Sequence, residues 1–431
     1  MNLEQWAETL LSEPVPAAAI DLHVKDAVAA FLVGVNTEEG AALARLYGAR
    51  IGPANWIAAA AAIVRLSECD DIHLASCVTP GSVVIPIALA LAQSSSEREF
   101  HRAVAAGYAA GLHLGLGIGG AKALACGVWP TLFAAPLMAA VTASCLSGHG
   151  PDRLSHAMAL ALAGSSGRLG RPIGTPSGRW FLLAQAVLKG IHAAEAAGQR
   201  FRGDLTILSR PWLSASAGHD EVDLAGFDSS PAAPLITEVG FKPFPIARQG
   251  ANAVIAFQRL LSQGLDPNRI QAIEVFVPAM NVALLSRPAR ADDRLSLLCN
   301  MGFQLACAAL APEMLYDTAR SGQPPGPLLE FAGRVSVTAA PDLESYLPDH
   351  WPARVRIDTG SERMEETIVK APFDHGEAGL SQVLNDKWKR LIPSQTENGL
   401  LDGGHAVLWQ RIVACVSMAA QQRPHPDPIQ G

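Results

Sequence analysis

Residues 239–260, VGFKPFPIARQGANAVIAFQRL, form the stretch that decides the predicted fold. In it, a loop with Lys242, two prolines and Arg248 leads into apolar residues with the spacing of a helix. The two cations give this loop the outline of an anion site. It contains no histidine, the side chain whose pKa lies closest to neutrality, and has Gly250 and Ala251 where we expect one. The stretch therefore raises the question of whether this site transfers protons.

The sequence pattern changes at this stretch. Before residue 240, helical spacing dominates and strand alternation is absent, as in HVKDAVAAFLVGV, ANWIAAAAAIVRLSE, SVVIPIALALAQ and WFLLAQAVLKGIHAAEAAGQRF. After it come four short segments rich in β-branched, alternating residues, which predict strands: IQAIEVFVP (270–278), RVSVTAA (334–340), ARVRIDTG (353–360) and EETIVKAP (365–372). The last two flank DTGSERM, which predicts a hairpin.

Helical patterns return near the end of the sequence, in GLSQVLNDKWKRLI and HAVLWQRIVACVSMAA. The fold class that these patterns predict is mainly α with a smaller α+β domain. Residues 1–240 form the first segment of a large all-helical domain, and residues 241–375 form an α/β domain inserted into it. Residues 376–431 return to the helical domain, and their last part, residues 421–431, is predicted to be disordered.

The composition favours a large helical core. Of the 431 residues, 49% are hydrophobic and only 17% are charged, which is sufficient for several fully buried helices and two domains. The formal net charge of −7 argues against the basic surface that a nucleic-acid partner requires. We therefore expect no nucleic-acid partner.

Two uncharged runs, residues 103–121 and 123–151, are long enough to span a bilayer. The first is rich in glycine, the second contains prolines, and neither has the flanks of a membrane helix, so no membrane partner is expected. The seven cysteines are scattered without a C-x-x-C pair. This favours reduced thiols in a cytoplasmic protein over disulfides or a metal site. The start, MNLEQWAETLLSEP, lacks the basic region of a secretory signal.

Six segments of the sequence, each too weak as a motif to identify a family, are specific when they are taken together in their order along the chain. They are HVKDAVAAFLVGV, ECDDIHLASCVTPGSVVIPIALALA, GVWPTLFAAPLMAA, GTPSGRWFLLAQAVLKGIHAA, VGFKPFPIARQGANAVIAF and DLESYLPDHWPARVRI. Together, over nearly the whole chain, they resemble the 2-methylcitrate dehydratase (MmgE/PrpD) family, which includes cis-aconitate decarboxylase and iminodisuccinate epimerase. The resemblance implies a cofactor-free homodimer with its active site between a large helical domain and a smaller α/β domain.

The acidic loop of that family is retained as Glu68, Asp70 and Asp71, with Glu68 where an aspartate is usual, and His73 follows in a familiar place. The resemblance implies that Asp70, Asp71 and His73 are the catalytic residues for proton transfer. Paired carboxylates raise each other's pKa, which makes one of them a usable base. The alternative is that the two aspartates cap and orient the loop and that the histidine is structural.

Four further positions depart from the family pattern. Three expected histidines are Thr79, Trp129 and Ala251, and an expected lysine is Arg179, if one residue is inserted in GTPSGRW. Threonine and alanine cannot replace histidine in acid–base chemistry, and tryptophan offers one N–H donor. A conventional methylcitrate dehydratase is therefore not expected, although the fold is.

Six residues are predicted to bind the substrate: Glu68, Thr79, Trp129, Arg179, Lys242 and Arg248. Three dipeptides, Thr79-Pro80, Trp129-Pro130 and Thr175-Pro176, have the pattern of helix starts, whose free N–H groups attract carboxylates. For Thr79 the simpler interpretation is an ordinary helix cap.

The function predicted from these features is a cofactor-free lyase or isomerase that acts on an organic acid through proton transfer at carbon. The replacement of histidines by Trp129 and Ala251 predicts a substrate bulkier or more apolar than citrate. The alternative is a catalytically silent family member that binds a small acid or a protein partner. An intact, closed cleft with Asp71 and Lys242 facing inward favours the enzyme, whereas a cleft plugged by Trp129 favours the silent protein.

Overall fold

The computed structural model of the protein describes residues 2–48, 52–169, 177–227, 234–290, 293–320, 324–374, 379–392 and 404–421. Up to residue 227 the described chain consists of helices and connecting loops. The helices are α1 (Leu3–Leu11), α2 (Ala17–Gly34), α3 (Glu38–Gly48), α4 (Pro53–Leu66), α5 (Gly81–Leu91), α6 (Glu97–Gly117), α7 (Ala121–Ala125), α8 (Pro130–Leu146), α9 (Pro151–Ala163), α10 (Gly178–Gly198) and α11 (Arg210–Ala217).

Glycines let the central helices α6 and α8 pack closely. A Cβ atom at Gly107 would collide with Thr142, and one at Gly111 would collide with Met138, both on α8. The two uncharged runs of the sequence thus lie largely on packed helices of the protein core. Among the described residues, no helix is long and apolar enough to cross a membrane.

The second part of the chain adds a small sheet and its covering helices. They are α12 (Arg248–Ser262), β1 (Ala272–Val277), α13 (Ala279–Leu285), α14 (Arg294–Cys299), α15 (Met301–Leu310), α16 (Gly326–Ala332), β2 (Val335–Ala339), β3 (Ala353–Asp358) and β4 (Arg363–Ile368). The strand order is β2-β1-β3-β4, with β1 parallel to β2 and the other pairs antiparallel. The predicted hairpin is the β3–β4 pair, which confirms that prediction.

This sheet has its own hydrophobic core. Because alternate side chains of a strand point to the same face, Ile273 and Val275 of β1 and Ile357 of β3 are buried together. They share a core with Phe257 of α12. The predicted fold class, mainly α with a smaller α+β domain, is therefore confirmed.

Two further helices, α17 (Leu380–Leu391) and α18 (Gly404–Gln421), belong to the first core rather than the second. Helix α17 packs on α2, and α18 packs on α3. The Nζ of Lys387 on α17 donates to Asp26 on α2 and to the backbone carbonyl of Cys69, just after α4. This buried ammonium joins the late helix to the loop that follows α4.

The predicted disorder from residue 421 is wrong for one residue, since Gln421 ends α18. Glutamine is a good helix former, and the first proline that would break the helix is Pro424. Residues 422–431 lie outside the described residues.

Candidate active site

Two loops that are far apart in sequence form one wall of the site. We call residues 67–80 the acidic loop and residues 240–247 the lysine loop. The backbones of Ile72 and Gly240 exchange hydrogen bonds of 2.9 and 3.0 Å, and Ile246 N–H donates to the carbonyl of Glu68 at 3.1 Å. At Glu68 the backbone turns sharply, with a φ of 55° that few non-glycine residues adopt. These contacts bring the acidic and lysine motifs of the sequence together.

A buried group of four charged side chains fills this junction. Lys242 Nζ donates to Glu68 Oε2 at 3.1 Å and to Asp70 Oδ1 at 3.3 Å. Arg65 Nη1, at the end of α4, lies 3.0 Å and 3.2 Å from the same two oxygens. Each carboxylate is thus shared by two cations.

The two carboxylates of this group differ in their acidity. Burial alone raises the pKa of Glu68, but Arg65, Lys242 and Arg179 together lower it to about 2. At Asp70 burial dominates over the same two neighbours, Arg65 and Lys242, and its pKa is raised. The second oxygen of Asp70, Oδ2, has no hydrogen-bond partner among the described residues. Asp70 is therefore the carboxyl of the pair that is suited to hold a proton.

Asp71 points away from this group, into the helical core. Its Oδ2 accepts from the Tyr108 hydroxyl at 2.7 Å and is hydrogen-bonded to His23 Nδ1 at 2.9 Å. Its Oδ1 accepts from the backbone N–H of Gly81 at 2.9 Å, at the first residue of α5. Asp71 therefore anchors the acidic loop to three helices.

His73 is also buried, and its contacts are with neighbouring protein side chains. Its Nδ1 is hydrogen-bonded to the Ser76 hydroxyl at 2.8 Å, and its Nε2 lies 3.5 Å from Glu238. These contacts hold the tip of the acidic loop.

A cavity of about 280 Å³ lies between the two hydrophobic cores, against the acidic and lysine loops. Six residues that the sequence proposed for substrate binding line it: Glu68, Thr79, Trp129, Arg179, Lys242 and Arg248. The three residues proposed for proton transfer are not on its wall. Asp70 lies behind Lys242, whereas Asp71 and His73 face other neighbours.

Two arginines and two tryptophans form a stacked group, of which all but Trp180 line the cavity. Trp129 and Trp180 meet edge to face at 6.0 Å. The guanidinium of Arg179 lies 5.2 and 5.5 Å from the two indole centroids, and that of Arg65 lies 5.4 and 5.7 Å from them. Since aromatic faces attract cations, the indoles stabilise two guanidiniums of like charge beside each other.

Both guanidiniums of this group retain an unused donor. The Nε–H groups of Arg65 and Arg179 are shielded from solvent and donate to no acceptor in the described part of the chain. Burial lowers the pKa of Arg179, and Arg65 and Arg287 act in the same direction, against the opposite effect of Glu68. The site thus holds buried donors without acceptors.

The cavity wall carries more cations than the carboxylates around it can balance. Five cations line it: Arg65, Arg179, Lys242, Arg248 and Arg287. Glu68 and Asp70 balance Arg65 and Lys242, and Asp374 pairs with Arg248. Neither Arg179 nor Arg287 makes an ion pair with a described residue. The described wall therefore has an excess of two positive charges.

The comparison with protein families bears on this site directly. The model of the MmgE/PrpD N-terminal domain matches residues 9–223, about half of the chain. The chain belongs to the MmgE/PrpD family. The match includes the acidic loop, Trp129 and Arg179. A search of curated proteins finds no match for the chain.

Two positions at which this MmgE/PrpD protein departs from the family pattern now have a structural description. Trp129 precedes α8, which begins at Pro130, and its indole supports Arg65 and Arg179 instead of filling the cavity. Thr79 does not cap α5, because its hydroxyl lies 3.2 Å from that of Thr131 and makes no cap bond. The third predicted helix start, at residues 175–176, lies outside the described residues.

Two cations of the site were missed by sequence reasoning. Arg65 stood out only as a lone charge in the apolar segment AAAAAIVRL, three residues before Glu68, a spacing that places side chains on one helix face. Arg287 follows α13 and carries no sequence signal that links it to the acidic loop. Within the described residues, no cluster of three or more His, Cys, Asp or Glu side chains is arranged to hold a metal ion.

The cavity also has an apolar section. Ile72, Cys77 and Trp351 form a small hydrophobic cluster with Ala121, separate from the two large cores, and all four residues line the cavity. The wall is therefore amphiphilic, with cations and an apolar surface.

Proposed function

We propose that this protein is a lyase or isomerase that acts on a small dicarboxylic acid, without a cofactor, through proton transfer at the carbon beside a carboxylate. The observation that carries the proposal is the pair of shielded, unused Nε–H groups of Arg65 and Arg179 on the cavity wall. A buried donor without an acceptor costs about 1–3 kcal/mol. A ligand carboxylate removes that cost and forms charge-assisted hydrogen bonds.

The charge and the size of the cavity narrow the chemical class of the ligand further. Two carboxylates balance the excess of two positive charges that Arg179 and Arg287 give the described wall. The volume of about 280 Å³ lies at the lower end of the range for small-molecule sites. The apolar section at Ile72 and Trp351 favours a ligand with a compact apolar substituent, more apolar than citrate.

Lys242 and Asp70 supply the proton transfer in this proposal. Lys242 hands a proton to Asp70, 3.3 Å away, and takes one from the ligand carbon. The electron pair of the C–H bond moves into the adjacent carboxylate, and the guanidiniums of Arg65 and Arg179 stabilise that charge. In an isomerase, water protonates the carbon on its opposite face and Asp70 releases its proton to solvent. In a lyase, the electron pair expels a group from the neighbouring carbon, and Lys242 supplies the proton that this group carries away. Asp71 and His73 position the acidic loop.

Ligand binding tests the first half of the proposal. Purified protein is screened by thermal shift against succinate, citrate, cis-aconitate, itaconate, 2-methylcitrate and an aryl-substituted succinate. A ligand at a hundred times its Kd stabilises the fold by about 2.7 kcal/mol. We expect Arg287→Met to abolish the shift, and Arg98→Met, at an exposed arginine of α6, to retain it. No shift with any dicarboxylate contradicts the proposal.

Proton exchange tests the second half. A bound acid is incubated in D2O, and the loss of its C–H signal is followed by NMR. We expect exchange in the parent protein and in Lys189→Met, an exposed control on α10. Asp70→Asn should bind the acid yet lose exchange. Binding without exchange in the parent protein contradicts catalysis and favours the silent acid-binding alternative.

The family resemblance also implies a homodimer, and we propose that the protein acts as one in the cytoplasm. Light scattering after gel filtration distinguishes a dimer from a monomer of 45.3 kDa.

A further inference from the structure

A second cavity lies at the other end of α8. Its volume is about 320 Å³, and it is enclosed by the end of α1, by α6 and by the turn between α8 and α9. Trp129, in the first cavity, precedes the N-terminal end of α8, whereas Cys145, in the second, lies near its C-terminal end. The 17 residues of α8 span about 25 Å at 1.5 Å per residue. The two cavities are therefore separate sites.

Glu13 gives this cavity an unused charged acceptor. The side chain follows α1, lines the cavity and is buried, with 8% of its residue surface exposed. The backbone N–H of Leu235 donates to its carboxylate. The oxygen Oε1 is shielded from solvent and has no hydrogen-bond partner among the described residues. A buried carboxylate oxygen in this state requires a donor.

The other polar groups of the cavity determine which donor fits. Glu99 already accepts from the backbone and hydroxyl groups of Ser96 at 2.8 Å in a helix cap. The guanidinium of Arg102 is exposed at the cavity and donates weakly to the carbonyl of Leu11 at 3.4 Å. His149 Nδ1 is shielded and has no partner in the described part of the chain. The cavity thus offers a free anion, a free ring nitrogen and an available cation.

We propose that this cavity is a second ligand site, which binds a small α-amino acid. The ligand ammonium donates to Glu13 Oε1, and the ligand carboxylate accepts from Arg102. The entrance is open beside the turn, because a Cβ atom at Gly148 or Gly150 would meet no other atom within 4 Å. Glu13 also accepts a hydrogen bond from the backbone N–H of Leu235, which lies five residues before Gly240 of the lysine loop. A ligand in this second cavity therefore also stabilises the segment that leads to the first cavity.

Isothermal titration with glycine, L-alanine and L-serine tests this inference. Ethylamine, which has only the ammonium group, and acetate, which has only the carboxylate, serve as comparison ligands. We expect the amino acids to bind more tightly than either of these two compounds. Glu13→Gln should weaken their binding at least tenfold, and Glu8→Gln, at an exposed position of α1, should leave it unchanged. Arg102→Met should weaken the amino acids but not ethylamine.

The pH dependence in the parent protein provides a test that needs no variant. The groups that face Glu13 are Glu99 and Arg102 of α6, His149 of the turn and the Leu235 N–H. Because burial raises the pKa of Glu13 to about 6, amino-acid affinity should fall up to tenfold per pH unit below that value. No binding of any amino acid, or binding unaffected by Glu13→Gln and by pH, overturns the inference. Binding that Arg287→Met abolishes also overturns it, since the ligand then occupies the first cavity.

Discussion

Replacement of Arg179 by methionine should leave the stability of the empty protein unchanged or slightly raised, while it abolishes ligand binding. The Nε–H of Arg179 is shielded and has no acceptor among the described residues, and its guanidinium lies near that of Arg65. Methionine keeps most of the length of the side chain and removes both the charge and the unused donor. This variant therefore separates what the residue does for the fold from what it does for a ligand.

The expected gain is the difference between two effects. Removal of a buried, unpartnered donor stabilises the fold by about 1–3 kcal/mol. Loss of the contacts of Arg179 with the indoles of Trp129 and Trp180 destabilises it by about 1–2 kcal/mol. The net effect therefore lies between a loss of about 1 kcal/mol and a gain of about 2 kcal/mol, with its centre at a small gain. For 431 residues, an unfolding entropy of about 2.1 cal/mol/K per residue makes 1 kcal/mol equivalent to roughly 1 °C in Tm.

The assay is urea unfolding and thermal shift with and without the best dicarboxylate. Arg98→Met, which removes an exposed arginine of α6, controls for the loss of one positive charge. We expect Arg179→Met to match or exceed the parent protein in stability and to show no shift with ligand. A destabilisation of more than about 2 kcal/mol, or a ligand shift equal to that of the parent protein, refutes the reasoning.

Three further outcomes are expected from urea unfolding. Lys387→Met leaves the buried carboxylate of Asp26 unpaired and should destabilise the fold by about 3–5 kcal/mol, whereas the double variant with Asp26→Asn should lose less. The pKa of Glu13 rises from 4.5 to about 6 on folding, so its contribution of about 2 kcal/mol is complete below pH 4.5 and is lost as pH rises through 6. Glu13→Gln should remove that pH dependence. Gly190→Ala should destabilise by about 3 kcal/mol or more, because the new Cβ collides with a backbone oxygen of α8, whereas Gly150→Ala meets no atom and should be neutral.

Much of the fold was predictable because it depends on local patterns. The alternation in residues 353–368 and its turn specified the β3–β4 hairpin, and Gly360 supplies a positive φ of 79° there. Gln421 was assigned wrongly because no pattern marks the residue at which a helix frays.

The site was predictable only in part, because it depends on the directions in which side chains point and on contacts between residues far apart in the sequence. Asp70 and Asp71 are neighbours in sequence, yet one pairs with Lys242 and the other with His23, and only the path of the loop determines this. The contact of Arg65 with Trp129 joins α4 to the residue that precedes α8, and no pattern in either segment predicts it. The resemblance to a family identified residues that line the cavity, whereas the orientations of their side chains depend on tertiary packing.

The contact of Lys387 with Asp26 also sets a time at which the acidic loop can be completed during synthesis. The two residues are 361 positions apart, and at about 5–20 residues per second the ribosome needs roughly 20 to 70 s to reach Lys387 after Asp26. Throughout that interval the carbonyl of Cys69 and the carboxylate of Asp26 lack their common partner. The helices that emerge first can pack, whereas the buried contact that ties the acidic loop to α2 through Lys387 forms only after α17 has been synthesised.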